Sequence, residues 1–275
     1  MALGAMAPAA RAFDGGAWSL SKGEWYSEVR GGRGTANAYF LDDGRDAPLP
    51  GSGRTQSFTL TSYNEIGWKK NLSFTVNLPF ESNQTRSGAE TASVTGLSDL
   101  MLGLRLRLKD TQPGLVLDAG WKAPLGYEKD LPPTLGNGRQ EFFGAAHIGV
   151  ELPWINGFVQ AARGLRLVQE DGDVRVATSA DLAGWVGERV LLGARYFDEG
   201  VWTSTSPVEQ APHSYAAGPV LLVRMDEKVD LSTGSFYRWA GRNVDKTLEV
   251  YVAVSFRQTK LNRLEGFLGS SKLTP

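Results

Sequence analysis

At 275 residues, with a formal net charge of -1 and no cysteine, the chain has no general attraction for nucleic acid or anionic lipid and no means of forming a disulfide framework, thiol nucleophile or thiolate metal site. Its 33 glycines and 8 tryptophans are generous for that length, and no run of about 18 apolar residues occurs, which excludes a transmembrane helix. A membrane barrel is not excluded, because alternating strands keep mean hydropathy low.

From the N-terminus, residues 1–12 (MALGAMAPAARA) read as the remnant of a secretory signal. Ala10-Arg11-Ala12 is a small-x-small cleavage pattern that makes Phe13 the first mature residue. The positive start of a full signal is missing, so a plain Ala-rich terminus is the alternative. An exported chain without cysteine fits the bacterial envelope. Residues 13–23 follow as a segment of the periplasm or the lumen.

Strand-like alternation then recurs over 24–34, 55–67, 71–81, 96–109, 114–123, 140–152, 156–169, 173–186, 189–197, 214–225, 229–239 and 246–257. No amphipathic helix interrupts these twelve segments, so the class is all-β. Polar stretches at 39–54, 82–95, 124–139 and 198–213 join strands one to two, three to four, five to six and nine to ten, while tight turns follow strands two, six, eight and ten. Long outer loops alternating with short periplasmic turns give a closed antiparallel up-and-down transmembrane β-barrel over 24–257. Trp68, Trp154 and Trp185 lie at or beside the short turns, as a girdle at the membrane interface requires; caps on a soluble core are the alternative. The tail, 258–275, places Leu261, Leu264 and Leu268 at helical spacing, which suits a short periplasmic helix or lumen plug as well as a frayed end.

The stretch DLMLGLRLRLKD, 99–110, shows why lipid is the expected outer solvent. A helix would spray Leu100, Leu102, Leu104, Leu106 and Leu108 around its cylinder, whereas a strand sorts them onto one face, opposite Met101, Gly103, Arg105 and Arg107. The second faces of the other strands are rich in Gly, Ala and Ser with scattered charge, as in a confined interior where charges meet one another. Inward bases on this register are Arg105, Arg107, Arg175, Arg195, Arg224 and Arg238; inward acids are Asp118, Glu141, Glu151, Asp181, Asp230 and Glu249. Tyr63, Glu65 and His147 join them as lumen-lining or ligand-contact candidates, although a structural hydrogen-bonded network is the expected fate of most. Symmetric folding of the short turns sets Arg105 opposite Asp118 and His147 opposite Gln160. Arg163, in phase with Val159, Ala161 and Leu165, and Leu222, in phase with Arg224, break the pattern.

The strings AWSLSKGEWYSEV, DDGRDAPLP, TLTSYNEIGWKKNLSFTVNLPF, TGLSDLMLGLRLRL and AGWKAPLGY resemble a bacterial family of outer-membrane channels associated with the meta-cleavage pathway of phenol degradation. The resemblance rests on Trp18, Lys22 and Gly23, on Asp43, Gly44, Arg45 and Pro48, on Tyr63, Glu65 and Gly67, and on Thr95, Gly96, Leu97 and Asp99. It covers most of 17–127. It implies passive uptake of small aromatic or hydrophobic molecules across the outer membrane, and it brings no ligand residues with it. The residues beyond Phe256 depart from barrels that end on the last strand's aromatic residue.

A closed structural barrel that displays its loops, and a lipid-modifying outer-membrane enzyme, are the rival classes. Neither histidine, His147 or His213, has a clustered serine and carboxylate in sequence, and no GxSxG, P-loop or zinc motif occurs. The expectation is therefore a non-enzymatic channel of the bacterial outer membrane with no catalytic residue, metal or cofactor. Its expected partners are membrane lipid and a small solute, not nucleic acid.

Overall fold

The computed structural model describes residues 17, 19–109, 111–127, 133–136, 138–169, 172–203 and 212–258; the expected signal remnant and the tail after Gln258 lie outside them. The strands are β1 (Trp25–Phe40), β2 (Asp46–Pro48), β3 (Arg54–Lys69), β4 (Leu72–Ser87), β5 (Glu90–Leu97), β6 (Asp99–Lys109) and β7 (Gly114–Pro124). They continue as β8 (Glu141–Leu152), β9 (Gly157–Val168), β10 (Val174–Val186), β11 (Val190–Thr203), β12 (His213–Arg224), β13 (Val229–Arg242) and β14 (Val244–Gln258). Each stave pairs antiparallel with its sequence neighbours, and β14 pairs with β1 from Trp25↔Gln258 to Phe40↔Val244. That last ladder closes the wall and leaves no open edge. Because β2 is a short flap on β1, and β5 and β6 are two parts of one stave, the barrel has twelve staves.

Side-chain direction follows the alternation. Leu104, Leu106 and Leu108 on β6 are 45%, 36% and 52% exposed, whereas Arg105 and Arg107 between them are 2% and 8% exposed. On β14, Leu248, Val250 and Val252 point out, while Tyr251 and Ala253 are buried. The leucine rows face away from the barrel axis and the guanidinium groups face it. A contiguous apolar surface of this extent requires hydrocarbon as its solvent.

Several expectations need correction. The polar stretch 82–95 is no loop: β4 and β5 run on as a ribbon from Phe80↔Leu97 to Ser87↔Glu90, with Ser82 and Thr95 hydroxyls bonded at 2.8 Å. Alternating Ser, Thr, Asn and Gln suit a strand pair wetted by water as well as they suit a loop. The β8–β9 turn folds about Trp154 and Ile155, with Asn156 in the left-handed region (φ 47°). His147 therefore pairs with Ala162, and Gln160 with Gly149, a two-residue offset from the symmetric reading. Arg163 faces outward and Leu222 faces inward, against an interior cluster of Phe158, Ala183, Trp185 and Leu191.

At its middle the fourth stave is bent. Between Asn77↔Met101 and Phe80↔Leu97, β4 offers Leu78 and Pro79 against Ser98, Asp99 and Leu100, and a single bond from Ser98 N–H to the Pro79 carbonyl (2.9 Å) bridges the gap. The extra residue and the missing proline N–H interrupt the ladder there.

Candidate solute passage

The interior divides into two unlike halves. On the half formed by β3 to β9, the charges are packed against one another. Arg105 is its centre: Nη1 donates to Glu65 Oε2 at 2.8 Å and Nε to Asp118 Oδ1 at 2.9 Å. The pairing Arg105↔Asp118 is the one expected from the short β6–β7 turn. His147 Nε2 lies 2.9 Å from Asp118 Oδ2, and the Ser73 hydroxyl donates to Glu65 Oε1. Arg105, Glu65 and Asp118, at 2% to 8% side-chain exposure, thus form one ion-paired set in which a single guanidinium serves two carboxylates, since charges removed from water must be paired.

A second layer lies nearer the long loops. Lys122 Nζ bridges Asp99 at 3.0 Å and Glu141 at 2.9 Å, while Arg166 sits 3.7 Å from both Glu141 and Glu199. The β7–β8 connection folds onto this layer. Tyr127 donates to Asp99 Oδ1 and accepts from the Gly138 N–H at 2.7 Å, and Asn83 donates to the Thr134 carbonyl at 2.7 Å. Burial, with the Asp99 carboxylate beside it, pushes the Tyr127 phenol far above its ordinary value, so it remains a donor throughout the physiological range.

The segment before β1 crosses the short-turn mouth. Leu20 N–H donates to Glu65 Oε1 on β3 and Ala17 N–H to Gln160 Oε1 on β9, both at 3.1 Å. Arg107 Nη1 reaches the Ser19 carbonyl at 3.2 Å and Nη2 the Ser21 hydroxyl at 2.7 Å. Ala17, Ser19 and Leu20 are buried, so this chord of chain lies inside the wall. Gly67 lets it approach: a Cβ there would meet the Ser21 carbonyl oxygen at 1.8 Å.

The other half, β10 to β14 with β1, is more aromatic. Tyr26 donates to Glu28 Oε2 at 2.8 Å, and Arg30 donates to Glu28 Oε1 at 3.0 Å. Arg30 in turn lies over the Tyr251 ring at 4.9 Å. Tyr251 stacks on Phe236 at 5.6 Å, Phe236 meets Phe197 edge-on at 5.1 Å, and Arg195 caps Phe197 at 5.8 Å. Tyr63 extends the arc to β3, edge-on to Tyr26 at 6.1 Å. Arg195 and Arg30 keep 17% and 12% side-chain exposure, against 2% for Arg105. Arg195 Nη2 is 3.0 Å from Asp181 Oδ2, and Gln160 Nε2 is 2.6 Å from the same oxygen, which ties the arc to the charged half.

The remaining candidates also face inward. Arg175 pairs across the ladder with Arg166, Arg238 Nη1 bonds the Asp245 carbonyl at 2.6 Å, Glu249 pairs with Phe236 and Gly34, and Glu151 lies at the short-turn end opposite Phe158. Arg224 stacks over Trp185 at 4.4 Å beside Asp230, whose carboxylate Arg257 also holds. Trp185 is accordingly no girdle residue: it is 7% exposed and sits on the same face of β10 as Asp181 and Ala183. The parity with Asp181 is readable in the sequence, but proximity to a turn says nothing about face. Trp68 and Trp154 are 60% and 79% exposed at the short-turn end. Residues that sequence reading left out include Tyr26, Glu28, Arg30, Phe197, Phe236 and Tyr251 of the arc, and Lys122, Arg166 and Glu199 of the second layer. Those of the arc come from strands far apart in sequence, and only barrel closure brings them together.

No family model matches the chain, and no curated protein matches its sequence. Solved structures do. An outer-membrane channel from Pseudomonas putida F1 superposes with a TM-score of 0.73 at 15% identity, over 89% of this chain and 98% of that one. The translocator domain of the autotransporter NalP from Neisseria meningitidis gives 0.54 at 14% identity, over 86% and 89%. The NanC porin gives 0.53 at 10% identity, over 84% and 100%. The shared feature is the fold, that of a bacterial outer-membrane β-barrel, and the bacterial outer membrane is where this chain's apolar belt finds its solvent.

Proposed function

We propose that the protein is an outer-membrane channel for passive uptake of small aromatic or hydrophobic molecules, without enzymatic activity. The observation that carries this reading is the arc of Tyr63, Tyr26, Tyr251, Phe236 and Phe197, which lines the inner face of β3, β1, β14, β13 and β11 with Arg30 and Arg195 beside it. Ring faces and edges offer a flat solute successive contacts of comparable strength, which lets it bind weakly and move on. The likeness of residues 17–127 to channels associated with phenol degradation supports the same solute class. The surroundings of His147 favour the non-enzymatic reading: its ladder neighbours are Val116 and Ala162, and its ring faces a carboxylate already engaged by Arg105.

Conductance of the purified protein in planar bilayers, read with and without benzyl alcohol as a permeating blocker, tests the reading. A solute-dependent drop in current is expected, and Phe197→Ala with Phe236→Ala should weaken it about three- to tenfold, the worth of one or two aromatic contacts. A barrel that conducts no ions and swells no liposomes, even after removal of the segment before β1, is a closed structural barrel.

A further inference from the structure

The lipid-facing surface carries a row with opposite charges that does not suit lipid. Directly opposed outward residues across β8 to β12 read Ala146, Arg163, Thr178, Asp198 and Tyr215. Arg163 is exposed, and among the described residues its guanidinium makes no ion pair; the Asp198 carboxylate accepts only from the Tyr196 hydroxyl, at 3.3 Å. An arginine and an aspartate therefore stand two staves apart, about 10 Å, on either side of a threonine. The adjacent outward row reads Ile148, Ala161, Ala180, Tyr196 and Ala217, small at β9 and β10 on either side of the Thr178 position. On β6 the wall is bulky, with five outward leucines.

We propose that this face is a dimer interface, and that its occupant is a second copy of the same chain. A twofold axis along the membrane normal, passing over Thr178, sets each copy's Arg163 against the partner's Asp198. Both charges are then paired by one symmetric contact, which is the requirement for an isologous interface. Strand tilt of about 40° offsets the two residues by about 6 Å in height, within reach of an extended arginine. Thr178, Ala161 and Ala180 at the axis let the two walls approach closely enough there for the pairs to form, as small residues do between membrane segments. In hydrocarbon an unpaired arginine on the lipid face is costly, so the pairing is worth more than it would be in water. Charge complementarity separates this patch from another exposed outward arginine, Arg33. Its row reads Ser235, Val250, Arg33, Phe58 and Ser82, without an acid.

The absence of cysteine makes the test direct. Thr178→Cys is compared with Leu104→Cys, an outward position on β6, by oxidative cross-linking of the full chain in native outer membranes. A disulfide-linked dimer is expected for Thr178→Cys at about tenfold the yield of Leu104→Cys. In the Thr178→Cys background, Arg163→Asp or Asp198→Arg alone should lose most of that dimer, the combined swap should restore it, and Arg33→Gln should leave it unchanged. Heat-modifiable gel mobility confirms that each variant is folded. Wild-type mass in lipid nanodiscs, expected to be twice that of one chain, supports the interface even if a single charge reversal prevents folding. Equal cross-linking at the two positions, monomeric nanodiscs, or a swap that folds without restoring the dimer overturns the proposal. So does monomeric Thr178→Cys protein whose Arg163→Gln variant instead loses co-purifying lipopolysaccharide phosphate, since lipid is then the partner.

Discussion

Arg105 holds together two carboxylates that would otherwise repel each other inside a wall of low polarity. Replacing it by methionine leaves Glu65 and Asp118 buried with one cation fewer, and the cost expected for breaking such a buried set is about 3–5 kcal/mol. The measurement is the urea midpoint of refolding in detergent, read by the gel mobility shift. A loss below about 1 kcal/mol would place the network in the range of exposed ion pairs and deny it a structural role. The Arg105–Asp118 pair was legible in the sequence because the β6–β7 turn is tight and both strands alternate strictly. The third member was half visible: Glu65 is on the inward face by parity, but its contact with Arg105 spans β4 and depends on two long side chains meeting over Ser73. No pattern of period two encodes that.

At the scale of elements, the segment from Ala17 to Glu24 does what no strand does: it runs from Gln160 on β9 to Glu65 on β3, five staves apart around the wall, and so bridges the mouth. Its removal should raise single-channel conductance severalfold, because the segment runs across the mouth through which a solute passes. Gly67→Val is the complementary test, since a side chain there occupies the position of the Ser21 carbonyl and should expel the segment without shortening the chain. Equal conductance in wild type, deletion and Gly67→Val would show that the segment does not limit flow. The sequence gives this segment a place in the periplasm or lumen but no address, because its anchors are backbone N–H groups bonded to distant side chains. The β4–β5 ribbon was hidden for a different reason. Its alternation is polar against polar, so hydropathy carries no period there, and the pairing shows only in the geometry.

The whole molecule is defined by which solvent meets which face, and the twelve-stave closure follows from that assignment. Alternating leucine and valine rows made the outward face readable from sequence, whereas the division of the interior into a charged half and an aromatic half required the closed wall. The assignment has a direct consequence for charge placement. Val252, 54% exposed, points outward from β14 in a row with Gly31 and Thr233; Ser179 on β10 points inward, near Asp181. Val252→Lys puts an ammonium into hydrocarbon at a cost of about 2–4 kcal/mol near the midplane. Ser179→Lys puts the same group beside a carboxylate in a polar interior and should cost less than about 1 kcal/mol. Refolding midpoints of the two variants in one lipid of fixed thickness give the comparison directly. If both substitutions cost the same, or the inward one costs more, the apolar rows do not face acyl chains, and the barrel is a soluble one with its faces assigned the wrong way round.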